Sequence, residues 1–339
     1  MKTLFLPSQT AVFRKFLDVS QHWVLISHVN PDGDAMGALC GMAAFLQSVG
    51  HTVQLLLPSP YPDFLAFLDP DKLIRIHKHH AKKCENAIQQ ADLICCLDMS
   101  TMSRIEGLFG AVTAASCPKL LIDHHPQPET ADFDLVLSAP ELSSSCELLY
   151  RLITELGLAC PPAAAEPLYV GLMTDTNNFS NSVAPETFEV AAALLRLGAD
   201  KEKVQQEVFG SFSEERLRLM AHSVLKRMVV LKDYGAAYMI VSLADQKQFQ
   251  FEPGDTEGFV NIPLNIKGIQ ISALFVETPA HIRVSLRSRN GVEVHEMARR
   301  FFEGGGHKQA SGGKLYRPLS EVPALFMQAL QQTSAPEAP

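Results

Sequence analysis

Short apolar runs at residues 24–27, 53–57, 93–97 and 120–122 alternate with helical patterning in the first part of the chain. Runs this uninterrupted read as buried strands, the kind found in parallel sheets covered by helices on both faces. The clearest unit starts at residues 24–28, turns through Asn30-Pro31-Asp32-Gly33, continues as a helix past Phe45 to Gly50 and enters the next strand, a βαβ arrangement. Residues 168–173 form a further run of strand length, for which periodicity leaves strand and helix both open. From Pro185 the pattern turns helical, with segments at 186–197, 201–209 and 213–231. Strand character returns at 236–242, 271–276 and 282–286, followed by a helix at 294–302 and a glycine-rich loop. The fold class predicted is α/β. A parallel-sheet domain with flanking helices spans 1–185, a helical linker 186–231, a smaller mixed α/β domain 232–332, and a short tail 333–339.

Composition supports two cores. Single cores stop growing at roughly 250–300 residues, and this chain of 339 residues is 47% hydrophobic and 19% charged. A formal charge of −8 argues against a broad basic track gripping long duplex nucleic acid, so any phosphate site must be local. No apolar run approaches the ~20 residues that span a bilayer and no secretory leader pattern is present, so no membrane partner is expected and the expected location is the cytoplasm. The seven cysteines include Cys95 and Cys96 inside an apolar run and form no CxxC pair, which suits buried reduced thiols rather than a disulfide framework or thiolate zinc.

The chemistry lies where the apolar runs stop: at His28, at Asp98, at Asp123-His124-His125 and at Asp175. Carboxyl ends of parallel strands converge on one sheet edge, bringing distant residues together. Asp32 and Asp34 join from the first turn, in the spacing His28-x-x-x-Asp32-x-Asp34. One such Asp alone is ordinarily a helix cap, but several packed together repel one another and raise one another's pKa unless cations intervene. Mixed carboxylate and imidazole donors suit Mn²⁺, with Mg²⁺, Co²⁺ or Fe²⁺ as alternatives and zinc left open. Two cations ~3.5–4 Å apart would acidify a water and neutralise phosphoryl oxygens in an in-line displacement. The histidines at 77, 79 and 80 sit in a charged stretch without such carboxylates and read as a solvated segment.

In the second domain, residues 304–313 (GGGHKQASGG) combine backbone freedom with His307 and Lys308. Alternation over residues 282–288 puts Arg283, Ser285 and Arg287 on one strand face, where arginines can clamp phosphate; a solvent-facing strand beside an ordinary turn is the plain alternative.

Together these motifs resemble the DHH/DHHA1 phosphoesterases, most closely the branch of NrnA-like oligoribonucleases and pAp phosphatases. Residues 28–34 (HVNPDGD) match the first motif, Asp98 the second, Asp123-His124-His125 the third, Asp175 within residues 171–176 the fourth, and the glycine-rich segment the DHHA1 signature. The resemblance implies one Mn²⁺ on His28, Asp32 and Asp98 and a second on Asp34, Asp98, His124 and Asp175. It makes Asp123 the orienting partner of a histidine and turns His125 toward the phosphate or leaving oxygen. Arg104 would contact phosphate, and Ser285, Arg287, Gly305, Gly306, His307 and Asn261 would recognise the nucleotide. Asn177 and Asn178 stand where relatives often carry Gly, and Ser311 where a second Ala is common.

The function expected is hydrolysis of short oligoribonucleotides to mononucleotides, with 3′-phosphate removal from pAp as a companion activity. Alternatives are a phosphodiesterase of cyclic or linear signalling dinucleotides, an inorganic pyro- or polyphosphatase, and a nucleotide-binding regulator without turnover.

Overall fold

The computed structural model describes residues 3–333. The chain divides between Ser211 and Phe212 into two units, each built on a six-stranded sheet.

In the first unit β1 (His22–Ile26), β2 (Thr52–Leu57), β3 (Arg75–Ile76), β4 (Leu93–Leu97), β5 (Lys119–Asp123) and β6 (Leu135–Ser138) are all parallel, in the order β3-β2-β1-β4-β5-β6. Helices α1 (Pro7–Val19), α2 (Gly33–Ser48), α3 (His77–Gln89), α4 (Phe109–Ala114), α5 (Ser145–Glu155), α6 (Pro162–Asp175), α7 (Pro185–Arg196) and α8 (Lys201–Phe209) complete the unit. Both faces of the sheet are apolar because both are covered. Trp23 and Leu25 of β1 enter one core with Leu39, Leu148 and Leu168, whereas Val24 and Ile26 enter the other with Ile88 and Val112. The strand order reverses between β1 and β4, so the loops leaving these two strands diverge and open a crevice at their carboxyl ends.

Residues 168–173 belong to helix α6, not to a strand. The run is apolar all round because α6 is buried between α2, α5 and α7, and a helix without a polar face gives no periodic signal. Pro162 at its first turn marks its start. α2 and α6 meet backbone to backbone. A Cβ added to Gly37 would lie 2.4 Å from the Pro167 carbonyl oxygen, and one added to Gly171 would lie 2.2 Å from Cys146 Sγ and 2.6 Å from Asp34 Oδ1. The short strands β3 and β6, two and four residues long, lie outside the strand pattern read from the sequence.

The second unit contains β7 (Met228–Leu231), β8 (Ala236–Val241), β9 (Ile271–Glu277), β10 (Ile282–Ser288), β11 (Gly305–Gly306) and β12 (Ala310–Leu315), ordered β11-β12-β10-β9-β8-β7. Only β8 and β9 pair in parallel, so the sheet is mixed. Its helices are α9 (Glu214–His222), α10 (Leu243–Gln248), α11 (His295–Phe301) and α12 (Val322–Thr333). Phe275, Phe302 and Phe326 fill one side of the sheet; Leu219, Phe259, Leu274 and Val276 fill the other.

Within the stretch expected to link the domains, α7 and α8 pack on helices of the first unit. The helix expected over 213–231 stops at His222, passes through a π-helical turn at Ser223–Arg227 and gives way to β7, where the β-branched pair Val229-Val230 favours extended chain. Residues 310–313, read as part of a glycine-rich loop, belong to β12: the Gly313 backbone lies against Phe302, with an added Cβ 2.2 Å from that carbonyl oxygen. The expected tail begins in the last turn of α12 and beyond Thr333 lies outside the described residues.

The α2–α6 contact predicts that Gly37→Ala lowers stability by about 1–3 kcal/mol, the usual cost of forcing extra volume into a packed interior. Urea denaturation of the full chain measures it; an unchanged midpoint would show that the two helices part without cost.

Candidate metal centre

The crevice between β1 and β4 gathers its side chains from five places. His28 follows β1, Asp32 and Asp34 open α2, Asp98 follows β4, Asp123-His124-His125 ends β5, and Asp175 is the last residue of α6. Asp32 is the N-cap of α2, its Oδ1 accepting from the amides of Asp34 at 3.1 Å and Ala35 at 3.0 Å, which leaves Oδ2 facing His28. The plain helix-cap role and the position in the cluster thus coexist in one residue.

Two histidines are set in the tautomer that offers Nε2. His28 Nδ1–H donates to the Val29 carbonyl at 2.8 Å, and His124 Nδ1–H donates to the Leu142 carbonyl at 3.3 Å. His28 Nε2 lies 3.5 Å from Asp98 Oδ2 and 4.0 Å from Asp32 Oδ2, while His124 Nε2 lies 3.7 Å from Asp34 Oδ2, 3.6 Å from Asp98 Oδ1 and 3.5 Å from Asp175 Oδ2. These separations are too long for hydrogen bonds. They suit pairs of donors that each stand about 2.1 Å from a shared cation. Asp98 belongs to three donor groups whose ligand atoms lie within 4.8 Å of one another: one with His28 and Asp32, one with Asp34 and His124, and a third with Asp123 and His125, which are already hydrogen-bonded to each other. Hard carboxylates with imidazole, and no thiolate among these donors, are a set for a divalent cation.

His125 is placed differently. Its Nδ1–H donates to Asp123 Oδ1 at 2.7 Å, and Asp123 is fully buried. Asp98 has a φ of +56°, a left-handed conformation rare outside glycine, and Asn30, Gln127, Asn177, Asn178 and Phe179 share positive φ. Backbone strain therefore collects in the loops around the crevice. Asn is the side chain that best tolerates such φ after Gly, which accounts for Asn177 and Asn178 shortly after Asp175.

Burial and neighbouring charges shift the acidities of the cluster in opposite directions. Burial, followed by the charges of Asp98, Asp175 and Asp32, holds the Asp34 carboxyl well above the usual range. Burial also pushes Asp175 up to about 6, with Asp32 and Asp98 adding to it and His124 opposing. At Asp98 burial is outweighed by His28, His125 and His124 together, which hold it well below the ordinary value. Burial disfavours charge on His124 and His125, yet Asp175, Asp98 and Asp123 raise the first, and Asp123 and Asp98 the second.

Sequence reasoning missed the support beneath these groups. Ser145 N–H donates to Asp34 Oδ2 at 2.7 Å, Cys146 N–H donates to Asp34 Oδ1 at 3.0 Å, and the Ser145 hydroxyl donates to Asp98 Oδ1 at 3.0 Å. The usable signal was Ser144-x-x-Glu147, the spacing of a helix start, with Ser144 Oγ accepting from the Glu147 amide at 2.9 Å. Arg104 lies half-buried in the 3₁₀ segment Met102–Leu108, and its carbonyl accepts from Val29 N–H at 2.9 Å, which pins this loop beside His28.

In the second unit Ser285 and Arg287 lie on β10 with alternate residues buried in the core, and Gly305, Gly312 and Ser285 align across β11, β12 and β10. His307 sits in the turn between β11 and β12, its carbonyl accepting from the Ser311 hydroxyl at 2.7 Å. Asn261 lies in the 3₁₀ turn Phe259–Asn265 packed on β8, β9 and β10, its Oδ1 buried without a hydrogen-bond partner. Arg283, on the same face of β10, donates to Thr256 Oγ1 at 2.6 Å and is thereby engaged within its own unit.

Family models for the DHH family N-terminal domain and for the DHHA1 domain match residues 22–172 and 234–334. A solved structure of an exopolyphosphatase-related protein from Bacteroides fragilis is 36% identical, with a TM-score of 0.91 over 98% of each chain. The chain belongs to the DHH/DHHA1 family. As a DHH/DHHA1 protein it is a hydrolase acting on phosphoester bonds. The bifunctional oligoribonuclease and PAP phosphatase NrnA of Bacillus subtilis (strain 168) is 28% identical over 86% of this chain and 89% of its own length. The Mn²⁺ complex of RecJ from Thermus thermophilus, at 15% identity and a TM-score of 0.56 over 99% of this chain and 56% of that one, shares the DHH/DHHA1 fold.

A group held protonated above its unfolded pKa stabilises the fold at low pH and loses that contribution as pH rises through the folded value. Asp34, Asp175, His124 and His125 all act in this sense, Asp175 giving way near its value of about 6. Asp98, shifted the other way, keeps its contribution at every pH above the ordinary carboxylate range. Between about pH 5 and about pH 8 the chelator-treated protein should lose melting temperature, and added Mn²⁺ should raise it most at the alkaline end. Thermal unfolding with chelator and with Mn²⁺ tests this; a chelated melting temperature that climbs over that range contradicts it.

Proposed function

We propose that this DHH/DHHA1 protein is a two-metal, Mn²⁺-dependent phosphoesterase that hydrolyses short oligoribonucleotides to mononucleotides and removes the 3′-phosphate of pAp. The observation that carries the reading is that the groups His28-Asp32-Asp98 and Asp34-Asp98-His124 meet at Asp98. His28, Asp32 and Asp98 would hold one cation, and Asp34, Asp98, His124 and Asp175 the other. When bound, the pair supplies an acidified water and charge neutralisation for the phosphoryl oxygens. The likeness of this chain over most of its length to the Bacillus enzyme supports the substrate class.

The protein's own residues perform the remaining tasks. Asp123 orients His125 and favours its protonated form, so that His125 presents a proton to a phosphate oxygen or to the leaving oxygen. Arg104 contributes a guanidinium for phosphate. Ser285, Arg287, Gly305, Gly306, His307 and Asn261 bind the nucleotide portion, with amides and hydroxyls for polar edges and Arg287 for charge. Such a site grips a few phosphates and does not require the cationic track that a chain of net charge −8 lacks. Inorganic pyro- or polyphosphate is the second reading, favoured by the designation of the Bacteroides relative as exopolyphosphatase-related.

The test is product release from a 5′-labelled diribonucleotide, pAp, a cyclic dinucleotide and pyrophosphate, each with Mn²⁺ or chelator. Mononucleotide from the dimer and phosphate from pAp are expected with Mn²⁺, and Asp98→Ala should lose at least about a hundredfold, the upper range for loss of an outer partner of a metal. Turnover of pyrophosphate alone would move the function to the second reading, and binding without product would make the protein a regulator. Arg287→Ala should raise KM for the diribonucleotide about tenfold, equivalent to one charge-assisted hydrogen bond, while leaving pyrophosphate hydrolysis near the wild-type rate. Equal loss on both substrates would remove Arg287 from nucleotide recognition.

A further inference from the structure

The amino end of α5 touches both donor groups. Its first two amides bind the two oxygens of Asp34, at 2.7 Å from Ser145 and 3.0 Å from Cys146. A carboxylate offers about two acceptor positions per oxygen, so one on each is used and the rotation of the Asp34 carboxylate is set. The favourable partial charge of a helix amino end adds to these bonds. Asp98 follows β4 in a left-handed conformation, so the strand itself does not fix where its carboxylate points. The Ser145 hydroxyl does, donating to Oδ1 at 3.0 Å while Oδ2 faces His28 Nε2 at 3.5 Å. Ser145 is fully buried. Its hydroxyl is not spent on the helix start, because Ser144 caps the Glu147 amide and its carbonyl accepts from Leu148.

We propose that Ser145 is a positioning residue that couples the two cation sites, its amide orienting Asp34 and its hydroxyl orienting the shared Asp98. This rests on the two-metal reading above and adds a residue that touches neither substrate nor cation. One residue then holds carboxylates of both donor groups, Asp34 through its amide and Asp98 through its hydroxyl. A buried hydroxyl lost from Asp98 would leave that carboxylate free to turn toward His28 alone, weakening the group that contains Asp34 and His124.

The test compares wild type, Ser145→Ala and Ser144→Ala as full chains, by Mn²⁺ titration calorimetry, by electron paramagnetic resonance at two Mn²⁺ per chain and by urea denaturation in chelator. Ser145→Ala retains the backbone amides, so its chelated unfolding should stay cooperative. Its weaker Mn²⁺ site is expected to lose about tenfold or more in affinity, as with other outer partners of metal ligands, and its spin-coupled Mn²⁺ signal to fall at equal loading. Ser144→Ala should lower the urea midpoint and leave the isotherm and the spectrum unchanged. The proposal is overturned if Ser145→Ala binds and couples Mn²⁺ as wild type does, or if Ser144→Ala weakens both by the same factor, since either result makes Ser145 only part of a helix start. Wild type that binds a single Mn²⁺ would instead sink the two-metal reading, and the coupling with it.

Discussion

Mutual repulsion of carboxylates in a place with little water is the constraint that organises the first unit. Asp34 and Asp98 are almost fully buried, and Asp32 and Asp175 close the ring at its open side. Such a cluster survives only if opposite charge is brought to it and if the chain cannot relax by moving one member away. His28, His124 and His125 bring the charge, and each ring is held by a separate acceptor, so none can turn from the cluster cheaply. The chain cannot relax because the carboxylates arise from the ends of different strands and helices whose positions are set by two covered sheet faces. The strand order reversal at β1 and β4 opens the space, and the cores on either side of the sheet keep it from closing.

Much of this was legible in the sequence for a plain reason. A buried parallel strand is a run of apolar residues, and its carboxyl end is wherever the run stops, so His28, Asp98 and the 123–125 segment announced themselves. Asp175 was found by the same rule although it ends a helix: a helix buried on every side has no polar face, and its ending looks like that of a strand. The rule has no purchase on Ser145, whose contribution is a pair of hydrogen bonds made at 111 and 47 residues' separation in sequence. Nor does it find β12, in which glycines replace the apolar residues that would mark a strand. The division of the helical stretch between the units depends on which neighbours each helix meets, and α7 shows the difficulty. Thr187 in its first turn donates to the buried Glu147 of α5 at 2.9 Å, a contact with no local trace.

The two units place different chemistry on different kinds of scaffold. In the first, charged groups stand at the ends of strands and helices, with one of them, Asp98, in a left-handed conformation, and a rigid sheet lies behind them. In the second, Ser285 and Arg287 stand on a strand whose other residues are core, and neighbouring glycines strip side chains from the adjacent strands. The first arrangement fixes the directions of a few charged groups, whereas the second leaves a wider stretch of main chain open.

The glycine contact between α2 and α6 acts as a ruler. Asp34 rides on one helix and Asp175 ends the other, so their separation depends on the close approach at Gly37, against the Pro167 carbonyl, and at Gly171, against Asp34 and the Cys146 thiol. Substitutions elsewhere in the core can therefore drift over time without lengthening or shortening the distance across the crevice. The missing side chains of two glycines thus help to fix the width of the centre.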